Sequence, residues 1–109
     1  MSSSRLDQLF AFLQEDPADP FNLYAIATEY IKTDREKALE YYEKLLREHE
    51  NYVPTYYHAA KLYADLGMKQ EAAQTFQRGI VISLHAGNRH AHRELQSAYN
   101  QFLDEEEEE

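Results

Sequence analysis

Residues 56–63 read YYHAAKLY, and this stretch decides the fold because its pattern occurs twice in the chain. Four of its positions have counterparts 33 residues earlier: Tyr56, Ala59, Ala60 and Tyr63 correspond to Leu23, Ile26, Ala27 and Tyr30. A second set follows each copy, in which Ala72, Phe76 and Gly79 correspond to Ala38, Tyr42 and Leu45. Each copy predicts a helix, a tight turn and a second helix, and a repeat of this length is typical of a solenoid built from helical hairpins.

The second copy resembles the tetratricopeptide repeat, or TPR. Residues 56–63 look like the first TPR helix, Leu66-Gly67 looks like its leucine–glycine turn, and residues 72–79 carry the alanine, aromatic and small positions of the second helix. The first copy departs from this pattern in two ways. Leu23 replaces the aromatic residue, and the turn at residues 33–36 lacks glycine and is one residue shorter.

The resemblance covers residues 20–84 and implies an all-α, right-handed solenoid, as in small bacterial stand-alone TPR domains. We expect about six antiparallel helices that form a half repeat, two full repeats and a capping helix. Their expected bounds are residues 4–15, 20–32, 35–49, 52–66, 69–85 and 89–104. The repeated positions are expected to be buried: Ala27, Tyr30, Ala38, Tyr42, Ala60, Tyr63, Ala72 and Phe76. Leu95, Ala98 and Phe102 should dock the capping helix against the two helices before it.

The chain has a formal net charge of −9, and residues 105–109 are five consecutive glutamates. Like charges repel, and no apolar residue in this run offsets the entropy of ordering it. We therefore expect a single domain over residues 1–104, with a disordered acidic tail over residues 105–109. The acidic balance argues against nucleic acid or anionic lipid as a partner, because those partners require clustered Lys and Arg. No apolar run approaches the roughly 20 residues of a membrane span, so we expect a cytoplasmic protein.

Composition and motifs give no support for catalysis or for a cofactor. The chain has no cysteine, which excludes disulfides and thiolate ligands. His90 and His92 form the densest histidine pair, but residues two apart on a helix point about 200° from each other. No glycine-rich phosphate loop, nucleophile elbow or zinc-protease motif occurs. We therefore expect no enzyme, no metal and no cofactor.

The candidate binding residues lie between the core positions of the first helix of each repeat. In a TPR these helices line the concave side, and the resemblance places Tyr24, Thr28, Tyr57 and Lys61 there. If the capping helix continues the stack, Arg89, Arg93 and Gln96 extend the groove, which makes seven candidate residues. Tyr24 and Tyr57 occupy matching places in the two copies, and aromatic and Arg side chains often anchor interfaces. The alternative is that the two tyrosines only cover the flank of a small core.

Some TPR domains hold the C-terminal carboxylate of chaperones with a clamp of Lys and Asn side chains. This sequence departs from that pattern, because Tyr24 and Thr28 stand where the first repeat of a clamp would carry Lys and Asn. His58 stands where the second repeat would carry Asn, and Lys61 alone does not make a clamp.

The sequence predicts a non-catalytic adaptor that binds a peptide or helix of another protein in the concave groove. Lys61, Arg89 and Arg93 would favour an acidic ligand. The alternative is a structural module that self-associates through its terminal helices, since an opening half repeat leaves Phe10, Phe12 or Leu13 partly uncovered. We expect a monomer, with a weak homodimer as the alternative.

Overall fold

The computed structural model describes residues 4–108 of the chain. Over that range it is all-helical, without strands, and every helix end lies within three residues of its expected position. The helices are α1 (Arg5–Glu15), α2 (Pro20–Tyr30), α3 (Arg35–Glu48), α4 (Pro54–Asp65), α5 (Lys69–His85) and α6 (Arg89–Glu107). They form two compact units, one that ends at Tyr52 and one that begins at Val53.

In the first unit, side chains at the helix ends fix the α1–α2 hairpin. The Ser4 hydroxyl accepts from the Asp7 backbone N–H, and the Asp7 carboxylate accepts from the Ser4 N–H, so that a capping box begins α1. The Asn22 side-chain amide, which is almost fully buried, donates to the carbonyls of Phe12 and Asp16 at 3.3 and 3.1 Å. These two bonds satisfy carbonyls at the C-terminal end of α1 and tie it to α2.

The core of the first unit follows the repeat pattern, with one exception. Its buried apolar residues are Leu9, Leu23, Ile26, Ala27, Ala38, Tyr42 and Leu45. Tyr30 was expected among them but is only half-buried. It is the last residue of α2, where its ring stacks on Tyr41 at 5.9 Å between centroids and meets Phe10 at 6.5 Å. The expectation of a buried Tyr30 is therefore wrong, because its aromatic neighbours are themselves half-buried side chains at the edge of the unit.

The second unit packs α4, α5 and α6 around a core in which small residues allow close approach. Ala60 and Ala72 have no exposed surface, and Gly79 is buried directly against Tyr56. Gly67 has a φ of +78° and lies in the turn after α4, where a residue with a Cβ would be strained. The repeat pattern therefore predicts this core correctly.

Helix α6 covers the open side of the second unit. Leu95 and Phe102 are buried, Ala98 is half-buried, and the Phe102 ring lies 5.7 Å from that of Phe76 between centroids. These contacts with α4 and α5 confirm the expected docking of the capping helix.

The end of α6 differs from expectation. The helix continues to Glu107 rather than ending near Asp104. Glu106 pairs with Lys69 at the start of α5, at 3.1 Å, and Gln101 donates to Glu105 at 3.3 Å. These contacts support a last turn that glutamate repulsion alone would disfavour. The expected boundary is thus about one turn too early, while the mobility of the tail stays a prediction; Glu109 lies outside the described residues.

Candidate functional site

The second unit contains an open cavity of about 630 Å³ between α4 and α6, with Phe76 of α5 at its floor. We call it the α4–α6 groove. Its α4 wall carries Tyr57, Lys61 and Asp65, which are spaced by four residues and so lie on one helix face. The α6 wall carries His90, Arg93, Glu94 and, near the C-terminal end, Gln101 and Glu105.

The two walls run in the same direction. A turn of three residues joins α4 to α5, and another joins α5 to α6. Helices joined by such short turns pack antiparallel to each other. Helix α5 is therefore antiparallel to both α4 and α6, so that the C-terminal ends of α4 and α6 lie at the same end of the groove.

Three of the seven candidate residues line this groove: Tyr57, Lys61 and Arg93. Arg89 instead borders a second cavity of about 410 Å³ at the α5–α6 turn, which Arg93 also borders. Gln96 lies outside the groove and donates a hydrogen bond to Asn100 at 3.1 Å. Arg89 and Gln96, which the sequence placed on the same surface as Arg93, thus lie outside the groove.

The other two candidates, Tyr24 and Thr28, belong to the first unit and are half-buried there. The Tyr24 ring meets those of Tyr42 and Tyr52 edge-on, at 6.4 and 5.8 Å between centroids. The Thr28 hydroxyl lies 2.9 Å from the Tyr42 hydroxyl. Burial raises the pKa of Tyr24 and raises that of Tyr42 to about 12, against the lowering effect of the bond to Thr28. These contacts favour the alternative in which Tyr24 covers the flank of a small core.

Two cations project from opposite walls of the α4–α6 groove. The Lys61 ammonium lies 5.4 Å from the centroid of the Tyr57 ring, a cation–π distance that orients it. Among residues 4–108, neither Lys61 nor Arg93 forms an ion pair. Both side chains are exposed and available to a ligand.

Sequence reasoning missed the carboxylates of the groove, namely Asp65, Glu94 and Glu105. Asp65 follows Lys61 by four residues, so helical spacing contained the signal for that residue. Glu94 lies 3.3 Å from the His90 ring, which carries charge only when protonated. The groove is therefore lined by both charge signs rather than by cations alone.

His58 follows Tyr57 on α4 and is partly buried. Burial lowers its pKa below the usual 6.5, and the Lys61 charge lowers it further, while Glu94 acts in the opposite direction. Its ring meets Tyr57 edge-on at 5.5 Å between centroids. A neutral imidazole is thus favoured beside the groove.

In the part of the chain that the structure describes, no three His, Asp or Glu side chains are grouped so that they could hold a metal ion. Over the same residues, no helix is both long and apolar enough to cross a membrane.

Helical hairpins and a groove between α4 and α6 are features of a helical repeat protein. Solved structures of similar sequence have the same fold. A solution NMR structure of a tetratricopeptide repeat domain protein from Salinibacter ruber is 39% identical, with a TM-score of 0.75, over 80% of this chain and 89% of that one. A crystal structure of a tetratricopeptide repeat domain protein from the same organism is 36% identical, with a TM-score of 0.75, over 78% of this chain and 97% of that one.

A protein from Bordetella parapertussis shares the fold at 17% identity, with a TM-score of 0.80, over 95% of this chain and 91% of that one. No family model matches the sequence. A comparison with curated proteins finds no match either. The chain belongs to the tetratricopeptide repeat family, a class of helical repeat modules that generally serve protein–protein interaction rather than catalysis.

Proposed function

We propose that this protein is a non-catalytic adaptor that binds a peptide or helix of a partner protein in the α4–α6 groove. One observation carries the proposal: Tyr57, Lys61 and Arg93, chosen from the repeat pattern, line a single open cavity between two walls of parallel direction. Tyr57 is half-buried, so part of its ring is held by the protein while the rest faces the groove. An aromatic ring held in this way suits a binding anchor.

Peptides selected from a random display library test this proposal. Each selected peptide is titrated into isotopically labelled protein, and backbone amide shifts are followed by NMR. We expect the largest shifts at Tyr57, Lys61 and Arg93. The variant Tyr57→Ala should weaken binding by about 2 kcal/mol, or about 30-fold, if Tyr57 is a hot spot. Tyr41→Ala, a half-buried tyrosine of the other unit, is the matched control and should bind normally. Shifts confined to α1, α2 and α3 would contradict the proposal.

Self-association is a second candidate, and exposed aromatic residues of the first unit favour it. Phe12 and Phe21 are 52% and 54% exposed. Such side chains, one on α1 and one at the start of α2, could be covered by a second copy of the chain. Size-exclusion chromatography with light scattering should then show a dimer at micromolar concentration that Phe12→Ser and Phe21→Ser abolish. A monomer for the unmodified protein at that concentration would contradict this candidate.

A further inference from the structure

The lining of the α4–α6 groove changes in charge sign along its length. We propose that the partner segment bound there carries both charges: an acidic group that lies against Lys61 and Arg93, and a basic side chain that lies against Asp65 and Glu105. This inference rests on the proposed function and names the chemistry of the partner. It replaces the acidic ligand that the cations alone had indicated.

The aromatic floor of the groove leaves little apolar surface for recognition. Phe76 is 1% exposed and Phe102 is 7% exposed, because each packs against the other and against the core. The Tyr57 ring on the wall is the main aromatic contact left to a ligand. Since most of the remaining side chains that line the groove are polar or charged, the charge pattern decides which segments fit.

The cationic section of the groove lies on the N-terminal side of the anionic one, and its two cations, Lys61 and Arg93, outnumber the single carboxylate beside them, Glu94. Lys61 projects from α4 and Arg93 from α6, so a carboxylate between the walls could accept from both. Neither cation has an ion-pair partner among the described residues, so an acidic ligand group displaces no existing pair. Hydrogen bonds between oppositely charged groups are stronger than those between neutral groups.

The anionic section lies at the C-terminal ends of the same walls. Asp65 follows Lys61 by one helical turn, a rise of about 6 Å, and Glu105 follows Arg93 by about 18 Å. Both carboxylates line the groove. The C-terminal ends of α4 and α6 add the negative ends of two helix dipoles. Of the glutamates that follow Glu105 on α6, Glu106 is paired with Lys69 at 3.1 Å, and Glu107 adds to the negative charge near this end.

A segment of a single charge sign would meet repulsion at one of these sections. An entirely acidic segment would place carboxylates against Asp65 and Glu105, and an entirely basic one would place cations against Lys61 and Arg93. Repulsion between like charges at an interface weakens the binding of the wrong partner. A segment of mixed charge avoids both conflicts.

Selection from the random peptide library, repeated on two charge-reversal variants, tests this inference. Peptides selected by the unmodified protein should carry both an acidic and a basic residue. K61E/R93E should enrich basic peptides without acidic residues, and D65K/E105K should enrich acidic peptides without basic residues. K44E/R47E makes the same charge change as the first variant on exposed positions of α3 and should select the same peptides as the unmodified protein. Thermal unfolding confirms that each variant is folded.

A titration with one selected peptide makes the test quantitative. Replacing its acidic residue with glutamine should weaken binding to the unmodified protein about tenfold, and by much less to K61Q/R93Q. Selected peptides of one charge sign that still shift amides of α4 and α6 would overturn this inference and leave the proposed function standing. Peptides that shift no amide of α4 or α6, or the absence of any enrichment, would overturn both.

Discussion

A Cβ atom built at Gly79 would lie 2.5 Å from the Cβ atom of Tyr56, closer than two such atoms can approach. It would also lie 3.2 Å from a methyl carbon of Leu95 on α6. At Gly79, α4 and α5 therefore cross too closely to leave room for a side chain, and Leu95 of α6 packs at the same point. The absence of a side chain there is a packing requirement, because the residue lies in ordinary helical conformation.

Replacing Gly79 with alanine should therefore destabilise the protein. Alanine favours a helix over glycine by about 0.8–1.0 kcal/mol, but overpacking a tight core costs about 1–3 kcal/mol. The nearest atom is the Tyr56 Cβ, which can move only with the backbone of α4, so we expect the overpacking cost to dominate. Urea unfolding should show a net loss of free energy of unfolding. Gln74→Ala, at an exposed position of the same helix, should change it by less than about 0.5 kcal/mol. A more stable Gly79→Ala protein would show that the crossing can relax.

The docking of α6 is tested by two neighbouring residues. Phe102 is 7% exposed and lies against Phe76, whereas Leu103 is 41% exposed. Phe102→Ala should cost about 3–5 kcal/mol, because a large cavity remains between α5 and α6. Leu103→Ala should cost far less. Thermal unfolding compares the two variants, and equal melting temperatures would show that α6 is an appendage.

The last turn of α6 carries an ion pair whose two groups are partly exposed. Lys69 and Glu106 are 46% and 30% exposed and 3.1 Å apart, so solvent screens the pair and limits it to about 0–1 kcal/mol. A double-mutant cycle with alanine should give a coupling in that range at low salt, and it should shrink as salt is added. The same cycle between Lys69 and Glu107 should give none. Equal coupling for both glutamates would mean that the tail acts only through its total charge.

Acid should weaken the fold through His58. Burial holds its pKa in the folded protein below the usual 6.5, so the unfolded chain binds the proton more readily. The stability contributed by the neutral ring is complete above pH 6.5 and is lost as the pH falls through the lower, folded pKa. We expect the free energy of unfolding to fall as the pH is lowered through this window, and to fall less in His58→Gln. His85→Gln, at an exposed position, should keep the full decrease. The same pH dependence in all three proteins would assign the effect to other groups.

The sequence by itself determined the elements of this fold and most of its core. The spacing that relates residues 56–63 to residues 23–30 predicted both hairpins, because small and aromatic side chains at helical intervals can be buried only where two helices cross. The first and last residues of the helices followed from local sequence signals that need no tertiary structure. Asp34 and Asn88, for example, accept from backbone N–H groups in the first turns of α3 and α6, as Asp and Asn commonly do at the residue before a helix.

Only the tertiary structure decided which side chains share a surface. Arg89 and Gln96 lie outside the groove, although they share α6 with Arg93, while the carboxylates of Asp65, Glu94 and Glu105 line it. A repeat pattern gives the buried face of each helix but not the rotation of that helix against its neighbour, which depends on how the side chains of both helices interdigitate. The charge pattern of the groove depends on that rotation, because successive residues on a helix lie about 100° apart and the rotation decides which of them face the opposite wall.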